Sequence, residues 1–176
     1  MSDLMRNNLI KALEKAFCKD KYSLHWDIDS KGLVEGWCHF RKKESIIQVA
    51  NIMLEIKARL ITVTAHKIVK ENKHEIAYHF DLDGSACTIC IPVPFDKNEV
   101  PSITHILKTA DWTERELQEL YDIKVLNHPN PKRLFLEDTI EEGIMNSMIS
   151  LSEAMIGASS QTLWEKVIST NSKERK

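Results

Sequence analysis

The chain has 176 residues, room for one domain with an appendage, and its 43% hydrophobic and 28% charged residues are those of a globular protein with a real apolar core. A formal net charge of −2 excludes the basic excess that tracks phosphate backbones, so nucleic acid is not an expected partner. The four cysteines (Cys18, Cys38, Cys87, Cys90) are irregularly spaced, no signal-peptide pattern opens the chain, and no apolar run approaches the roughly 20 residues of a membrane span; these features imply free thiols in a reducing cytoplasm.

Leu9, Ala12, Leu13, Ala16 and Phe17 recur at helical spacing behind a Ser2 or Asp3 cap, which predicts a first helix. Tyr22, Leu24, Trp26 and Ile28 alternate with polar residues, and the run from Leu33 to Phe40 is rich in strand formers. Asp29-Ser30-Lys31-Gly32 between them reads as a hairpin turn. A second helix is predicted over about Glu44 to Ala58. It has Ile46, Val49, Ala50, Met53 and Ile56 on one face, with Lys57 and Arg59 near the end where the dipole favours cations.

Three alternating runs follow: Ile61, Val63 and Ala65; Ile76, Tyr78, Phe80 and Leu82; Cys87, Ile89, Ile91 and Val93. Asp83-Gly84 suits a two-residue hairpin turn, since both central positions need positive φ. Facing Leu82 with Ser85 aligns Phe80 with Cys87, Tyr78 with Ile89 and Ile76 with Ile91, so the apolar faces coincide. Pairing Val69 with His74 puts Val63 opposite Phe80 and Ala65 opposite Tyr78.

Pro92, Pro94 and Pro101 then break the sheet pattern. A helix is predicted over about Trp112 to Tyr121, followed by an extended stretch from Asn127 to Leu136 in which each proline turns its predecessor away from helix. From Thr139 to Ser169 helical spacing returns, with Ile140, Ile144, Met148, Leu151 and Met155 on one stripe. The fold class is α+β: an antiparallel sheet, hairpin plus three-stranded meander, covered by helices, with an extended and helical C-terminal arm. The expected division is an α+β domain at residues 1–98, a motif helix and partner-binding arm at 99–138, and a helical tail at 139–176.

Signatures of independent chemistry are weak. Cys87 and Cys90 form the one CxxC, but residues three apart on a strand point to opposite faces, so they are expected to hold no metal: one core cysteine and one outer cysteine. The seven histidines make no HxxxH or HExxH spacing. His66 and His79 share an outer face with no carboxylate placed to complete a site, and solvated histidines are the default. There is no Gly-rich phosphate loop and no GxSxG elbow. Thr113 and Glu116 have the spacing of a capping box, and Arg115 and Glu119 that of an i,i+4 pair.

The stretch Ala110-Asp111-Trp112-Thr113-Glu114-Arg115-Glu116 is followed by Tyr121, Ile123, His128-Pro129, Arg133-Leu134, Leu136 and Asp138. This order resembles the family of the 30-kDa-type subunit of respiratory complex I, an NADH-quinone oxidoreductase. That family's motif runs Trp-x-Glu-Arg-Glu, Asp-x-Phe-Gly-Ile, Gly-His-Pro and Arg-x-Leu-x-x-Asp. The likeness covers about Ser102 to Asp138, with Glu119 at the family's aspartate position. Asp122 and Asn127 stand where the family has glycine; both tolerate positive φ. The Met-bearing helical tail is closer to the corresponding subunit of membrane-bound energy-converting hydrogenases and formate hydrogenlyase.

The resemblance implies a cofactor-free, non-catalytic subunit on the cytoplasmic side of a membrane complex. Its partners would be a large hydrogenase-like or quinone-site subunit and iron–sulfur subunits, with the membrane arm reached indirectly. A nickel–iron centre and iron–sulfur clusters would belong to those partners. The partner-binding residues carried over with the motif are Trp112, Glu114, Arg115, Glu116, His128, Pro129 and Arg133. The arm from Pro129 to Leu136 is expected to be mobile without a partner, and Trp112 reads equally as anchor or core. Two other readings stand beside this one: a free-standing assembly or regulatory protein that retains the fold, and a small enzyme using His128 with Glu114 or Glu116 as acid and base.

Overall fold

A computed structural model describes residues 2–18 and 21–146. The first helix, α1 (Ser2–Ala16), turns Leu9 and Leu13 fully inward, and Phe17 follows them as its N–H donates to the Leu13 carbonyl at 2.8 Å. Strands β1 (Tyr22–Ile28) and β2 (Val34–Phe40) pair antiparallel from Tyr22 opposite Phe40 to Ile28 opposite Val34. The Asp29 carboxylate closes their turn by accepting the N–H groups of Lys31 and Leu33 at 2.8 and 2.7 Å. Opposite Trp26 only glycine fits: a Cβ on Gly36 would lie 2.5 Å from the indole.

Helix α2 (Ser45–Glu55) buries Ile46, Val49, Ala50 and Met53. It ends three residues before the predicted boundary. Lys57 enters the left-handed region at φ 60°, and the Ala58 N–H returns to the Met53 carbonyl at 2.9 Å, an end usually made by glycine. Lys57 and Arg59 therefore lie beyond the last turn, and Arg59 instead meets Asp81 at 3.3 Å across the sheet.

Strands β3 (Arg59–Ile68), β4 (Lys73–Asp81) and β5 (Ala86–Pro94) form the predicted meander. The β4–β5 register agrees with expectation, with Phe80 opposite Cys87 and Tyr78 opposite Ile89. Asp83 and Gly84 supply the two positive φ angles, 56° and 91°. The β3–β4 register is two residues away from expectation: Val63 faces Tyr78 and Ala65 faces Ile76. A short 3-10 turn at Val69–Glu71 with Asn72 at φ 50° sets the new offset. Because the slip is even, Val63 and Ala65 keep the inner face. A bulge between Leu60 and Thr62 then moves the last buried position to Leu60, leaving Ile61 exposed.

Hairpin and meander join into one mixed sheet of order β1-β2-β5-β4-β3, in which β2 and β5 run parallel from Glu35 beside Ala86 to His39 beside Cys90. The sheet is thus not wholly antiparallel as expected, because alternation reports which face a residue takes and not which strand lies next to it. Pro92 and Pro94 also lie within β5, opposite Glu75 and Lys73. The described β2 pairing stops at Cys90, so beyond it β5 has an unpaired edge where a missing N–H breaks no ladder. Pro101 likewise sits in β6 (Glu99–Pro101), which pairs parallel with β7 (Lys124–Leu126).

One face of the sheet is apolar. Cys38, Val63, Ile76, Tyr78, Phe80, Cys87, Ile89 and Ile91 join the buried residues of α1, α2 and α3 (Asp111–Tyr121) in a single core. Each large side chain fully buried there stabilises the fold by about 1.5–3 kcal/mol. The opposite face carries His39, Thr64, Glu75, His79, Thr88 and Cys90. Cys90, expected as an outer cysteine, is 2% exposed; burial, then the Glu75 carboxylate, push its thiol up to about 12. His74 and His128 are buried rather than solvated, and His74 is held between Asn98 and Asn146 at 3.0 and 2.9 Å.

The predicted tail helix does not start at Thr139. Residues 139–143 are irregular, with a turn and two bends, Gly143 takes φ 79°, and a single 3-10 turn covers Ile144–Asn146. Asn146 donates to the Tyr121 carbonyl at 2.7 Å, which fixes this segment against the end of α3. The remaining tail positions, Met148, Leu151 and Met155 among them, lie outside the described residues.

Candidate functional site

The Trp-x-Glu-Arg-Glu motif occupies α3, and its two faces do different work. On the inner face, Glu114 is fully buried and accepts three short hydrogen bonds: from Ser102 Oγ, the Ile103 N–H and Thr104 Oγ1, each at 2.6 Å. A buried carboxylate needs such donors to offset its lost hydration. The segment after β6 supplies all of them, so Glu114 ties residues 102–104 to α3.

His128 closes this cluster. Its Nδ1 accepts the Asn130 N–H at 3.0 Å, so in the neutral ring the hydrogen sits on Nε2. Nε2 lies 3.3 Å from Asp111 Oδ1, 3.4 Å from Thr104 Oγ1 and 3.6 Å from Glu114 Oε2. Asp111 Oδ1 is buried and makes no hydrogen bond, which leaves the Nε2–H facing two carboxylates. Pro129 follows on the surface.

On the outer side, α3 grips the extended arm by its backbone. Arg115 donates to the carbonyls of Lys132 and Arg133 at 2.7 and 2.6 Å. Glu119 is 1% exposed and accepts the N–H groups of Leu134, Phe135 and Leu136 at 3.3, 2.9 and 2.7 Å. Burial raises the Glu119 carboxyl, but the amides of Phe135, Leu136 and Leu134 and the Arg133 guanidinium outweigh it and hold the group below its ordinary value. The Arg133 guanidinium donates to the Glu137 and Ile140 carbonyls and lies 3.7 Å from Glu119.

Two local expectations are corrected here. The capping box is not formed: α3 starts at Asp111 behind Ala110, and Thr113 Oγ1 donates to the Ala110 carbonyl at 3.1 Å. Arg115 and Glu119 do not pair with each other, because arm backbone groups take both. The arm is pinned within the chain, although it has too few apolar residues to build a core. Glu114 and His128 are buried in the subunit. Trp112 stands outside the core at 61% exposure, edge-on to the equally exposed Phe135 with ring centroids 6.2 Å apart. Glu116 is half-buried, and it acts after burial in raising the Tyr121 phenol. The glycine-replacing Asp122 and Asn127 take φ 54° and 60°, as their residue types permit.

Sequence reasoning missed Ser102, Thr104 and Asp111. The available signal was the pair of short hydroxyl residues at 102 and 104, whose use becomes visible only when β6 and β7 bring them under α3.

A profile of the family described as "Respiratory-chain NADH dehydrogenase, 30 Kd subunit" matches residues 40–146, more than half of the chain. Over 39 residues the chain is 46% identical to the NAD(P)H-quinone oxidoreductase subunit J of Prochlorococcus marinus (strain AS9601), covering 22% of each protein. Over 59 residues it is 36% identical to the protein of the same name from Prochlorococcus marinus (strain NATL1A), covering 32% of this chain and 34% of that one. The matched stretch thus spans about a third or less of these relatives. The fold is that of a chain in the membrane-bound sulfane sulfur reductase (MBS), an archaeal respiratory membrane complex. Its TM-score is 0.63 at 18% identity, over 85% of this chain and 88% of that one. It is also that of the trypsin-resistant fragment of Nqo5, with TM-score 0.53 at 20% identity over 70% and 98% of the two chains. The buried Glu114, the αL turns at Asp122 and Asn127 and the pinned arm lie inside the profile match, and the chain belongs to the family of the 30-kDa subunit of respiratory-chain NADH dehydrogenase.

Proposed function

We propose that this chain is a non-catalytic accessory subunit of a membrane-associated energy-converting oxidoreductase, of hydrogenase or NADH-quinone type. It docks a large catalytic subunit and iron–sulfur subunits on the cytoplasmic side and reaches the membrane arm through them. Redox groups, a nickel–iron centre or iron–sulfur clusters, reside in those partners. No helix among the described residues is long and apolar enough to cross a membrane, which is consistent with attachment through partner contacts.

The observation that carries this reading is the Trp112–Phe135 pair. Two large aromatic rings, each 61% exposed, stand on a helix and an arm locked together by Arg115 and Glu119. Rigid exposed aromatics next to an arginine are the composition of an interface anchor. Glu114 and His128 fit a supporting role: the His128 side chain is 0% exposed and offers no approach for a substrate, which disfavours the acid–base enzyme.

The test is affinity purification of the tagged chain from native membranes in mild detergent, with partners identified by mass spectrometry. The expected result is co-purification of a large subunit with small iron–sulfur and multi-span membrane subunits. Trp112→Ala is expected to leave the melting temperature nearly unchanged and to lower partner recovery several-fold. Recovery of the wild-type chain alone from the soluble fraction would overturn the proposal in favour of an assembly or regulatory protein.

A further inference from the structure

The open face of the sheet gathers side chains that no sequence spacing connects. His39 on β2, Glu75 on β4 and Cys90 on β5 bring a ring nitrogen, a carboxylate oxygen and a sulfur within 4.8 Å of one another. Cys90 is the register partner of both His39 and Ala77, and Glu75 lies two residues from Ala77 on the same face. His39 Nδ1 is 3.7 Å from one Glu75 oxygen, and His66 Nε2 on β3 is 3.7 Å from the other. Neither approach is short enough for a hydrogen bond. Glu75 is the carboxylate that the spacing of His66 and His79 did not reveal. Trp37 stacks beside His39, with ring centroids 6.4 Å apart and planes 16° from parallel.

We propose that His39, Glu75 and Cys90 form a three-ligand site for a borderline divalent cation, Zn2+ foremost, with His66 orienting Glu75 through its second oxygen. One sulfur, one nitrogen and one oxygen are a zinc donor set, whereas Mg2+ and Ca2+ select oxygen alone. A tetrahedral ion with bonds of about 2.0–2.3 Å holds its ligands about 3.5 Å apart, so these atoms need to close by about 1 Å. Side-chain rotation of His39 and Glu75, both at least partly exposed, can supply that movement. A water molecule would complete the tetrahedron. Cys90 binds as thiolate and its proton leaves to water. The CxxC still does not chelate, since Cys87 points into the core; Cys90 draws its companions from neighbouring strands. The ion would bridge β2, β5 and β4 across the parallel seam and so staple hairpin to meander.

The test is a Co2+ titration of the chelator-treated full chain under a phosphine reductant, read by near-ultraviolet thiolate-to-cobalt charge transfer. One equivalent is expected to raise the band, and one equivalent of Zn2+ to remove it. Cys90→Ser is expected to abolish the band and His39→Ala to weaken binding by at least tenfold. His66→Gln should weaken it about tenfold, as loss of an orienting partner does. Cys18→Ser, altering the exposed cysteine, should leave it intact. No band in the wild type, a band surviving in Cys90→Ser, or one lost in Cys18→Ser overturns the site. His39→Ala guards against misfolding, since His39 is exposed and Cys90 buried: Zn2+ should raise the melting temperature of the wild type and not of His39→Ala, and equal rises would overturn the staple.

Discussion

The sheet and the motif region are held together by different physics. Between β4 and β5, apolar side chains meet across a register that one hairpin turn specifies, and stability comes from area removed from water. Around α3, two carboxylates and an arginine are committed to backbone and hydroxyl groups: Glu114 to residues 102–104, Glu119 to the amides of 134–136, Arg115 to the carbonyls of 132 and 133. An apolar core tolerates small displacements of its members, while a buried carboxylate that loses its donors leaves a stranded charge. The motif region should therefore be geometrically stricter than its share of the apolar core would suggest.

Breaking each region in turn tests that contrast. Removing Phe80, a fully buried ring of the sheet, is expected to lower stability by about 3–5 kcal/mol, seen as a shift of the urea midpoint for every spectroscopic probe at once. Glu114→Ala should cost nearly as much, about 3 kcal/mol, because two hydroxyls and one N–H lose a charged acceptor in a buried site. Were it to cost under about 1 kcal/mol by the same denaturation, the carboxylate would not be what ties residues 102–104 to α3.

Glu119→Gln should act locally. Hydrogen exchange at Leu134, Phe135 and Leu136 is expected to accelerate about tenfold or more, with β4 and β5 amides unchanged. Acid should mimic it. The folded Glu119 titrates below its ordinary value of 4.5, so its contribution is full above that pH and is lost as pH falls through the lowered folded value. Arm protection should thus fade as pH falls below 4.5, before the sheet unfolds, and simultaneous loss of both would erase the distinction between the two regions. The smallest effect belongs to the turn before His128: Asn127→Gly should change stability by less than about 1 kcal/mol, and Asn127→Val should cost about 1–2 kcal/mol at φ 60°, measured by thermal melting.

Much of the sheet was legible because its signals are local. The Asp83-Gly84 turn and period-two alternation place Phe80 opposite Cys87 without knowledge of anything distant. The β3–β4 offset was missed by two residues because a 3-10 turn ending in left-handed Asn72 has no signature as sharp as Asp-Gly. Pro92 and Pro94 were read as strand breakers because the sequence does not say that β5 has a free edge beyond Cys90. In the site, the motif itself was legible as spacing, and the αL roles of Asp122 and Asn127 followed from residue type. The partners of Glu114, Arg115 and Glu119 were not: each is an interaction over ten or more residues, and the short-range alternatives (a capping box, an i,i+4 pair) look equally good on paper.

The sequence by itself determined the α+β class, the inner faces of the strands, the hairpin at Asp83-Gly84 and the motif that marks the family. These depend on side-chain periodicity and on φ preferences, which neighbouring residues fix. Tertiary structure alone decided that β2 lies parallel to β5, that Glu114 serves residues 102–104 and Glu119 the arm amides rather than Arg115, that Trp112 faces outward, and that His39, Glu75 and Cys90 meet. Those outcomes depend on which unpaired edges and buried charges find each other in space, and no window of adjacent residues contains that information.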